Sequence, residues 1–570
     1  MFVNASCAAI GFSAIISGRS ELEKVSFLTF TPGSNYGAIL KIRRTMNTVD
    51  FLSIAAAICP DRPAVIFEGK KYTFAEVAER SNRLANAMSK LGVQKGSRVA
   101  ILQVNCNQYV EAYFAAAKIG AIFVPLNFRA KDDELTYMAN YAEAALILCG
   151  DRYADMVNKM KPNLKTVKHY VSLDAKRPDM LLYDDLLASG SPDDPTTEIG
   201  ENDVTILMFT AGTTGRPKGV PQTHNSFSVY ALQNVEPVSP DVAEVNILTV
   251  PLYHVAGIQA MLAATYGGRT IAMMRQFETK EWMETVQREK ANRAMLVPTM
   301  LKWIIDSPDF KKYDLSSLKV ITYGAASMPF EVIKKAIEVL PGVRFINAFG
   351  QTETSSTITT LGPDDHVISG TPQEKEKKLK RLQSSIGKPM PDVEMCVMDP
   401  ETGKPLPPGP EHVGEIVARG PRIMSGYWKD AEKTAKAFTK DGWLKTNDMG
   451  WMDEDHYFYL AGRGDDMIIR GGENISPEEV ENGLYTNPKI EEVAVIGIPD
   501  SEWGQQIAAV VVLKKGEKAT AEEIQEHVKS KVASFKRPAY VIFTDVLPRN
   551  PMGKILKKQL REKYGPEYKK

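Results

Sequence analysis

Binding a phosphate chain takes a backbone that can come close, hydroxyls that donate and a cation that moves. Residues 210–220, Thr-Ala-Gly-Thr-Thr-Gly-Arg-Pro-Lys-Gly-Val, carry all three in Gly212, Gly215 and Gly219, Thr210, Thr213 and Thr214, and Lys218. Glycine admits a ligand to the backbone, threonine donates, and lysine brings a flexible point charge. The string is not a GxxxxGK[ST] loop, because Gly219 follows Lys218 and Pro217 precludes an uninterrupted helical turn there. A Gly-rich surface hairpin would share this composition. Further on, Asn347-Ala-Phe-Gly-Gln-Thr-Glu353 sets a carboxylate beside hydroxyl and amide groups, a donor set that suits a divalent ion shared with phosphate oxygens. A helix N-terminus accounts for it equally. Asp448, at the end of Gly442-Trp-Leu-Lys-Thr-Asn-Asp448, can accept from two vicinal hydroxyls of a ribose, with Arg463 as an added donor; an N-cap or surface role is the alternative. Lys554 stands in a Pro/Gly-fixed loop near the end of the chain, where a lysine is ordinarily just solvated. His254, in Pro251-Leu-Tyr-His-Val255, is a lone histidine of the kind more often structural than functional.

These residues need elements to hold them, and the apolar pattern supplies them. Thr73-Phe-Ala-Glu76 is a capping box, and Val77, Leu84, Met88 and Leu91 then share one helical face up to Gly92. Short apolar strands are expected over 99–104, 121–125, 145–149, 204–209, 294–298, 320–323 and 344–348, with a helix over 109–118. That βαβ rhythm implies buried parallel sheet flanked by helices. Residues 364–388 break it and read as a loop, with the charged run 374–381 as a solvated face. A polar Gly-rich connector at 461–466 is followed by strands over 493–498, 507–513 and 540–543 and a helix over 521–532. The expected fold is α/β: residues 46–464 form a large N-terminal domain with parallel-rich sheets, and 465–570 a small, mobile C-terminal α+β domain. Residues 1–45 read as a poorly ordered extension or a misplaced start ahead of Met46, with a targeting peptide as the other reading.

The chain has 570 residues, 44% hydrophobic and 25% charged, with 70 Lys+Arg balancing 70 Asp+Glu. Ordinary globular composition and zero formal charge argue against a nucleic-acid partner, which needs a basic face. No run is long enough for a transmembrane helix. Five scattered cysteines without a CxxC pair point to a reducing, cytoplasmic setting and no zinc cluster.

With its four strings in this order, the chain resembles the adenylate-forming superfamily of acyl-CoA synthetases, luciferases and peptide-synthetase adenylation domains, over residues from about 50 to 560. It departs from the family pattern at Phe349, where tyrosine is usual, at Ala211, where serine is usual, and at Asn447, where glycine is usual. The resemblance implies an acid–thiol ligase that uses ATP and Mg²⁺ to convert a carboxylic acid to an acyl-adenylate and then, with coenzyme A, to acyl-CoA. It implies that Thr210, Gly212, Thr213, Thr214, Gly215 and Lys218 hold the phosphates, and that Thr210 and Glu353 place the metal. Gly324, Ala325, Ala326, Asn347, Ala348, Phe349, Gly350 and Thr352 then surround the adenine, and Asp448 and Arg463 the ribose. Lys554 becomes the catalytic cation at the α-phosphate, Asp465 the hinge, and Arg470, Gly471, Gly472, Glu473 and Lys536 the coenzyme A contacts. Tyr253, His254, Val255 and Gly324 border the acid. The small residues at 324–326 favour an aryl, alicyclic or medium-chain acid over acetate. A stand-alone adenylation enzyme loading a carrier protein is the alternative, and a homodimer is left open.

Overall fold

The computed structural model describes residues 46–210, 216–463, 466–470, 473–549 and 555–568, with the backbone alone at Arg463, Glu473 and Asn474. The proposed extension at 1–45 lies outside them, as do Asp465 and Lys554. Described strands form a large α/β assembly built on two sheets, followed by a small domain. The seven-stranded sheet runs Leu181–Leu182, His169–Ser172, Ala144–Cys149, Arg98–Leu102, Ile122–Pro125, Val204–Thr210, Lys218–Thr223, and all its pairings are parallel except the last. The thirteen-stranded sheet has a parallel half, including Thr270–Met273, Val245–Leu248, Arg293–Leu296, Val320–Gly324 and Arg344–Gln351. Beyond Arg344–Gln351 it turns antiparallel through Ser356–Leu361, Ser385–Pro389, Phe458–Arg463 and Leu444–Met452.

One hydrophobic core contains Val99, Ile101 and Ile206 from the first sheet and Val65, Leu248 and Ile271 from the second, with the helices Thr48–Ile58, Phe74–Lys90, Asn107–Lys118 and Val255–Tyr266 packed among them. The helix Phe74–Lys90 starts where its capping box places it, Thr73 Oγ1 accepting from Glu76 N and Glu76 accepting from Thr73 N, and it buries Val77, Leu84 and Met88. Two expectations are corrected. The strand expected over 294–298 stops at Leu296, because Pro298 opens the helix Pro298–Ile305, where its missing N–H and fixed φ belong. Residues 364–388 are largely ordered secondary structure: Thr371 caps a helix Pro372–Ser384, and Ser385–Pro389 joins the sheet. The charge run hid this helix, since Leu382 is its one buried residue.

In the small domain Ile490–Asp500 and Gly504–Leu513 pair antiparallel, and Tyr540–Phe543 adds in parallel. Val493 and Val495 face one buried cluster while Ala494 and Ile496 face another, so both sides of this sheet are covered and its strands read as unbroken apolar runs. The helix expected over 521–532 closes earlier, as Ala521–Val528. Large and small domains meet through Lys302 Nζ and Glu491 Oε1 at 2.5 Å, Ser327 Oγ donating to Glu478 Oε1 at 2.5 Å, and Asn482 Nδ2 donating to the Gln383 carbonyl at 3.3 Å. Among the described residues no helix is long and apolar enough to cross a membrane.

Candidate active site

The Thr/Gly/Lys string is flanked by two paired strands. Val204–Thr210 runs out, Lys218–Thr223 returns antiparallel, and Thr210 stands opposite Lys218 across the pair. Gly212, Thr213, Thr214 and Gly215 lie outside the described residues. Lys218 Nζ sits 4.8 Å from the centroid of the Tyr427 ring, a cation–π arrangement, and Tyr427 OH donates to Glu353 Oε1 at 2.9 Å. Burial first, and the Glu353 carboxylate second, push the Tyr427 phenol well above its ordinary pKa, so it remains a donor at any working pH. Trp428 N donates to the Gly219 carbonyl at 2.8 Å, tying the returning strand to the segment that carries Tyr427.

Glu353 lies in a single 3₁₀ turn, Thr352–Thr354, directly after the strand Arg344–Gln351. Gln222, on the hairpin's return strand, donates through Nε2 to the Thr352 carbonyl at 2.5 Å and accepts at Oε1 from Ser355 Oγ. Ser355 Oγ also lies within donating distance of the Arg422 carbonyl at 2.8 Å. Arg422 is fully buried and pairs through Nε and Nη2 with both oxygens of Asp392, at 2.5 and 2.8 Å. The glutamate is thus held from the hairpin on one side and from a buried ion pair on the other. Gly350 and Gly324 serve this packing: a Cβ on Gly350 would meet the Ser356 carbonyl oxygen at 1.7 Å, and one on Gly324 the Ala348 carbonyl oxygen at 2.1 Å. The missing side chain of Gly324 therefore accommodates the neighbouring strand. Ala325 follows with φ +67°, a strained value for a residue with a Cβ. Phe349 is half-buried and packs against Ile358, Met390 and Ile386 in the antiparallel half of the sheet. Asn347 Nδ2 donates to the Ser385 carbonyl at 3.4 Å.

The third string joins the first two. Gln351 Nε2 donates to the Thr446 carbonyl at 3.4 Å, and Thr446 Oγ1 donates to the Ile416 carbonyl at 2.7 Å while accepting from Asp448 N at 3.2 Å. Asp448 is buried and stands opposite Arg463 in the pairing of Leu444–Met452 with Phe458–Arg463. Asn447 between them has φ +60°, a left-handed conformation that glycine and asparagine tolerate best, which explains why asparagine can stand where the family has glycine.

His254 caps the helix Val255–Tyr266 without a side-chain bond to it, its ring 4.2 Å from that of Tyr253, which meets Phe128 edge-on at 5.1 Å. Asn105 pins the preceding turn by accepting from Leu252 N at 2.9 Å and donating to the Val250 carbonyl at 3.1 Å. Burial, and secondarily the positive Arg129, lower the His254 pKa to about 3, so the imidazole is neutral. In the small domain Arg470 Nε donates to Gln506 Oε1 at 2.8 Å and its guanidinium lies 4.5 Å from the Trp503 ring centre. Lys536 is paired with Glu479, 2.7 and 2.6 Å from its two oxygens. Gly471 and Gly472, and the side chain of Glu473, lie outside the described residues.

The hydrogen bonds bring the strings around 210–218, 347–353 and 446–448 to one place, at the seam between the two sheets. Composition gave no sign of Tyr427, Gln222 or Arg422: Tyr427 and Gln222 touch motif residues far away in sequence, and Arg422 braces Ser355, just beyond one of them. No cluster of three or more metal-ligating side chains occurs among the described residues. The single carboxylate of Glu353 fits Mg²⁺, which commonly takes one or two carboxylates and completes its shell with substrate phosphates and water.

The family model described as AMP-binding enzyme matches residues 52–428, and that of the AMP-binding enzyme C-terminal domain matches residues 479–554. A feruloyl-CoA synthase of Amycolatopsis sp is 34% identical over 513 residues, 90% of this chain and 97% of its own length. The fatty acid–[acyl-carrier-protein] ligase ScoC of Streptomyces coeruleorubidus is 32% identical over 511 residues, 89% of this chain and 94% of its own. Among solved structures, ATP-bound MatB from Rhodopseudomonas palustris superposes with a TM-score of 0.81 at 29% identity, covering 92% of this chain and all of that one.

Proposed function

The chain belongs to the AMP-binding enzyme family, as an AMP-forming acid–thiol ligase of the acyl-CoA synthetase kind, and from that premise we propose that it activates an aryl, alicyclic or medium-chain carboxylic acid and passes it to coenzyme A. The observation that supports this reading most is the chain of contacts from Lys218 through Tyr427 to Glu353, which joins a phosphate-type loop to a carboxylate. In the first half-reaction an oxygen of the acid attacks the α-phosphorus of ATP, the bond to the β-phosphate oxygen breaks, and pyrophosphate leaves. Negative charge spreads over the transferring group, so fixed cations and donors around it lower the barrier. Thr210, Lys218 and the glycines between them hold the β- and γ-phosphates, and Glu353 with Thr210 would hold Mg²⁺, which when bound neutralises phosphate charge. Asp448 accepts from the ribose hydroxyls, with Arg463 opposite, and the strand end at Asn347, Ala348, Phe349, Gly350 and Thr352, with Ala325 and Ala326, borders the base. Tyr253, His254 and Val255 border the acid. The neutral His254 presents no charge that would hold the carboxylate away from phosphorus. In the second half-reaction the thiol of coenzyme A loses its proton, its sulfur attacks the acyl carbon, and AMP departs. The small domain, turning at Asp465, delivers Lys554 for the first step and Arg470 to Glu473 for the second, with Lys536 freed from Glu479 to meet coenzyme A phosphates. The setting is cytoplasmic.

The deciding experiment incubates the protein with ATP, Mg²⁺ and coenzyme A against short, medium-chain, alicyclic and aromatic acids, and quantifies AMP and acyl-CoA together. Equal yields with one acid class are expected. Pyrophosphate exchange without thioester would replace coenzyme A by a carrier protein, the acceptor of the Streptomyces coeruleorubidus ligase. Lys554→Ala is expected to abolish adenylate formation and to spare thioester formation from supplied acyl-adenylate. Equal loss of both steps would overturn the two-position account.

A further inference from the structure

One turn apart on the helix Asp132–Ala142, Tyr137 and Tyr141 share a face and stack, their ring centres 5.4 Å apart and their planes 26° from parallel. Together they reach the phosphate-type string from both ends. Tyr141 meets Phe209 on the outgoing strand, ring centres 6.3 Å apart. Gly219 pairs with Phe209 on the returning strand, and a Cβ there would stand 3.6 Å from Tyr141 Cε1. The Tyr141 hydroxyl donates to the Trp428 carbonyl, and Trp428 N donates to the Gly219 carbonyl at 2.8 Å. Tyr141 is therefore fixed to both strands. Tyr137, stacked on it, takes the remaining contact: the Arg216 guanidinium lies 4.9 Å from its ring centre, a cation–π distance. Arg216 is exposed and, with Pro217 and both tyrosines, borders a cavity of about 1090 Å³, so the ring rather than enclosure holds this guanidinium. The cations on either side of Pro217 are thus each seated on a tyrosine, Lys218 on Tyr427 and Arg216 on Tyr137.

We infer that Tyr137 is a positioning residue for adenylate formation: seated on Tyr141, it holds Arg216 and through it the start of the returning strand, where Lys218 stands opposite Thr210. The inference rests on the ligase reading and adds to it a support for the phosphate-binding residues from a helix that none of the motif strings includes. Glycine loses more conformational freedom on becoming ordered than any other residue, so a Gly-rich segment is costly to close around a ligand. Fixing its ends beforehand lowers that cost, which is preorganisation. The contact to Arg216 uses the face of the ring, which phenylalanine offers as well and leucine does not.

The test follows acid-dependent pyrophosphate exchange as a function of ATP in the wild type, Tyr137→Phe, Tyr137→Leu, Arg216→Met and the double variant Tyr137→Leu/Arg216→Met, with KM for the acid measured alongside. Tyr137→Leu and Arg216→Met are each expected to raise KM for ATP roughly two- to fivefold, the size of an exposed cation–π contact, and to leave KM for the acid unchanged. Tyr137→Phe is expected to keep the wild-type value, and the double variant to be no worse than the worse single one. Additive effects in the double variant overturn the inference, because the two side chains then act separately. A fall in kcat with KM for ATP unmoved also overturns it, as the mark of a role in stability alone. Arg216→Met alters an exposed side chain, so an unchanged KM for ATP in that variant is decisive against the inference even where Tyr137→Leu fails to fold. If no acid supports exchange, the ligase reading falls and this inference with it; if exchange proceeds with KM for ATP indifferent to these substitutions, only the inference falls.

Discussion

Tyr427 connects two motifs through two different interactions, offering its ring to Lys218 and its hydroxyl to Glu353. Tyr427→Phe keeps the ring and removes the donor, so Glu353 loses its only described hydroxyl partner. Hydrogen bonds to charged groups contribute about 1.5–3 kcal/mol, so pyrophosphate exchange is expected to fall roughly tenfold or more with little change in thermal midpoint; an unchanged exchange rate would remove Tyr427 from the site. His254 makes a prediction about acid. Its folded pKa, about 3, lies below the unfolded value near 6.5, so between those limits the unfolded chain binds a proton that the folded one does not. Its contribution to stability is therefore complete above pH 6.5 and is lost as pH falls towards 3, at roughly 1.4 kcal/mol per pH unit. Urea titrations of the wild type and His254→Gln at pH 7 and pH 5 are expected to show the larger acid loss in the wild type. Catalysis, by contrast, should show no ionisation of His254 across neutral pH.

At the scale of elements, the turn bearing Glu353 is short and makes few bonds of its own, so its place depends on what surrounds it. Arg422 and Asp392 are both buried, and removing one partner leaves a charge uncompensated in the interior. Arg422→Ala is expected to destabilise the protein by about 3–5 kcal/mol and to lower exchange activity in whatever fraction still folds, measured by denaturation followed by exchange assay. The joint effect distinguishes a bracing pair from one that serves stability alone. Helices with strong caps and wide apolar faces, such as Phe74–Lys90, were legible in the sequence, as were the parallel strands, because capping and burial leave periodic marks. The helix Pro372–Ser384 was not, because it rests on its cap and on long charged side chains: Arg381 lies 3.6 Å from the centre of the Tyr457 ring and its Nη2 2.7 Å from Asp455. Of the candidate site residues, the motif strings named Lys218, Glu353 and Asp448, because residue type and local spacing are visible in the chain itself. Tyr427, Gln222 and Arg422 were invisible for the opposite reason, as their partners are fixed only by the fold. Gly324 shows the limit of composition, because a small residue signals close approach without saying by what.

For the whole molecule, the contacts between domains matter more than their strength suggests. Lys302 is largely buried between Asp306 on its own helix and Glu491 in the small domain. Burial opposes its charge, yet the two carboxylates outweigh burial and raise its pKa above the ordinary value, so the pair persists throughout the neutral range. If the small domain turns between half-reactions, this pair belongs to one position and not the other. Glu491→Ala is expected to shift the balance of the two half-reaction rates several-fold, as suits an interaction of about 1 kcal/mol, with the effect shrinking at high salt. Identical changes in both rates would mean that the pair is indifferent to domain position.

The pairing order of the large sheet also governs when it can exist. Pro63–Phe67 pairs directly with Thr270–Met273, and the Pro63 carbonyl accepts from Thr270 Oγ1 across 207 positions. A ribosome adding about 5–20 residues per second needs roughly 10–40 s to supply that partner. Throughout that interval the hairpin Pro63–Thr73 has an apolar strand with no neighbour on its inner side. Its outer strand begins with two exposed lysines, Lys70 and Lys71, which discourage pairing from that flank, but nothing guards the inner one. Until residue 273 has emerged that exposed edge is expected to make the nascent chain prone to aggregation, the more so the slower the translation between the two strands.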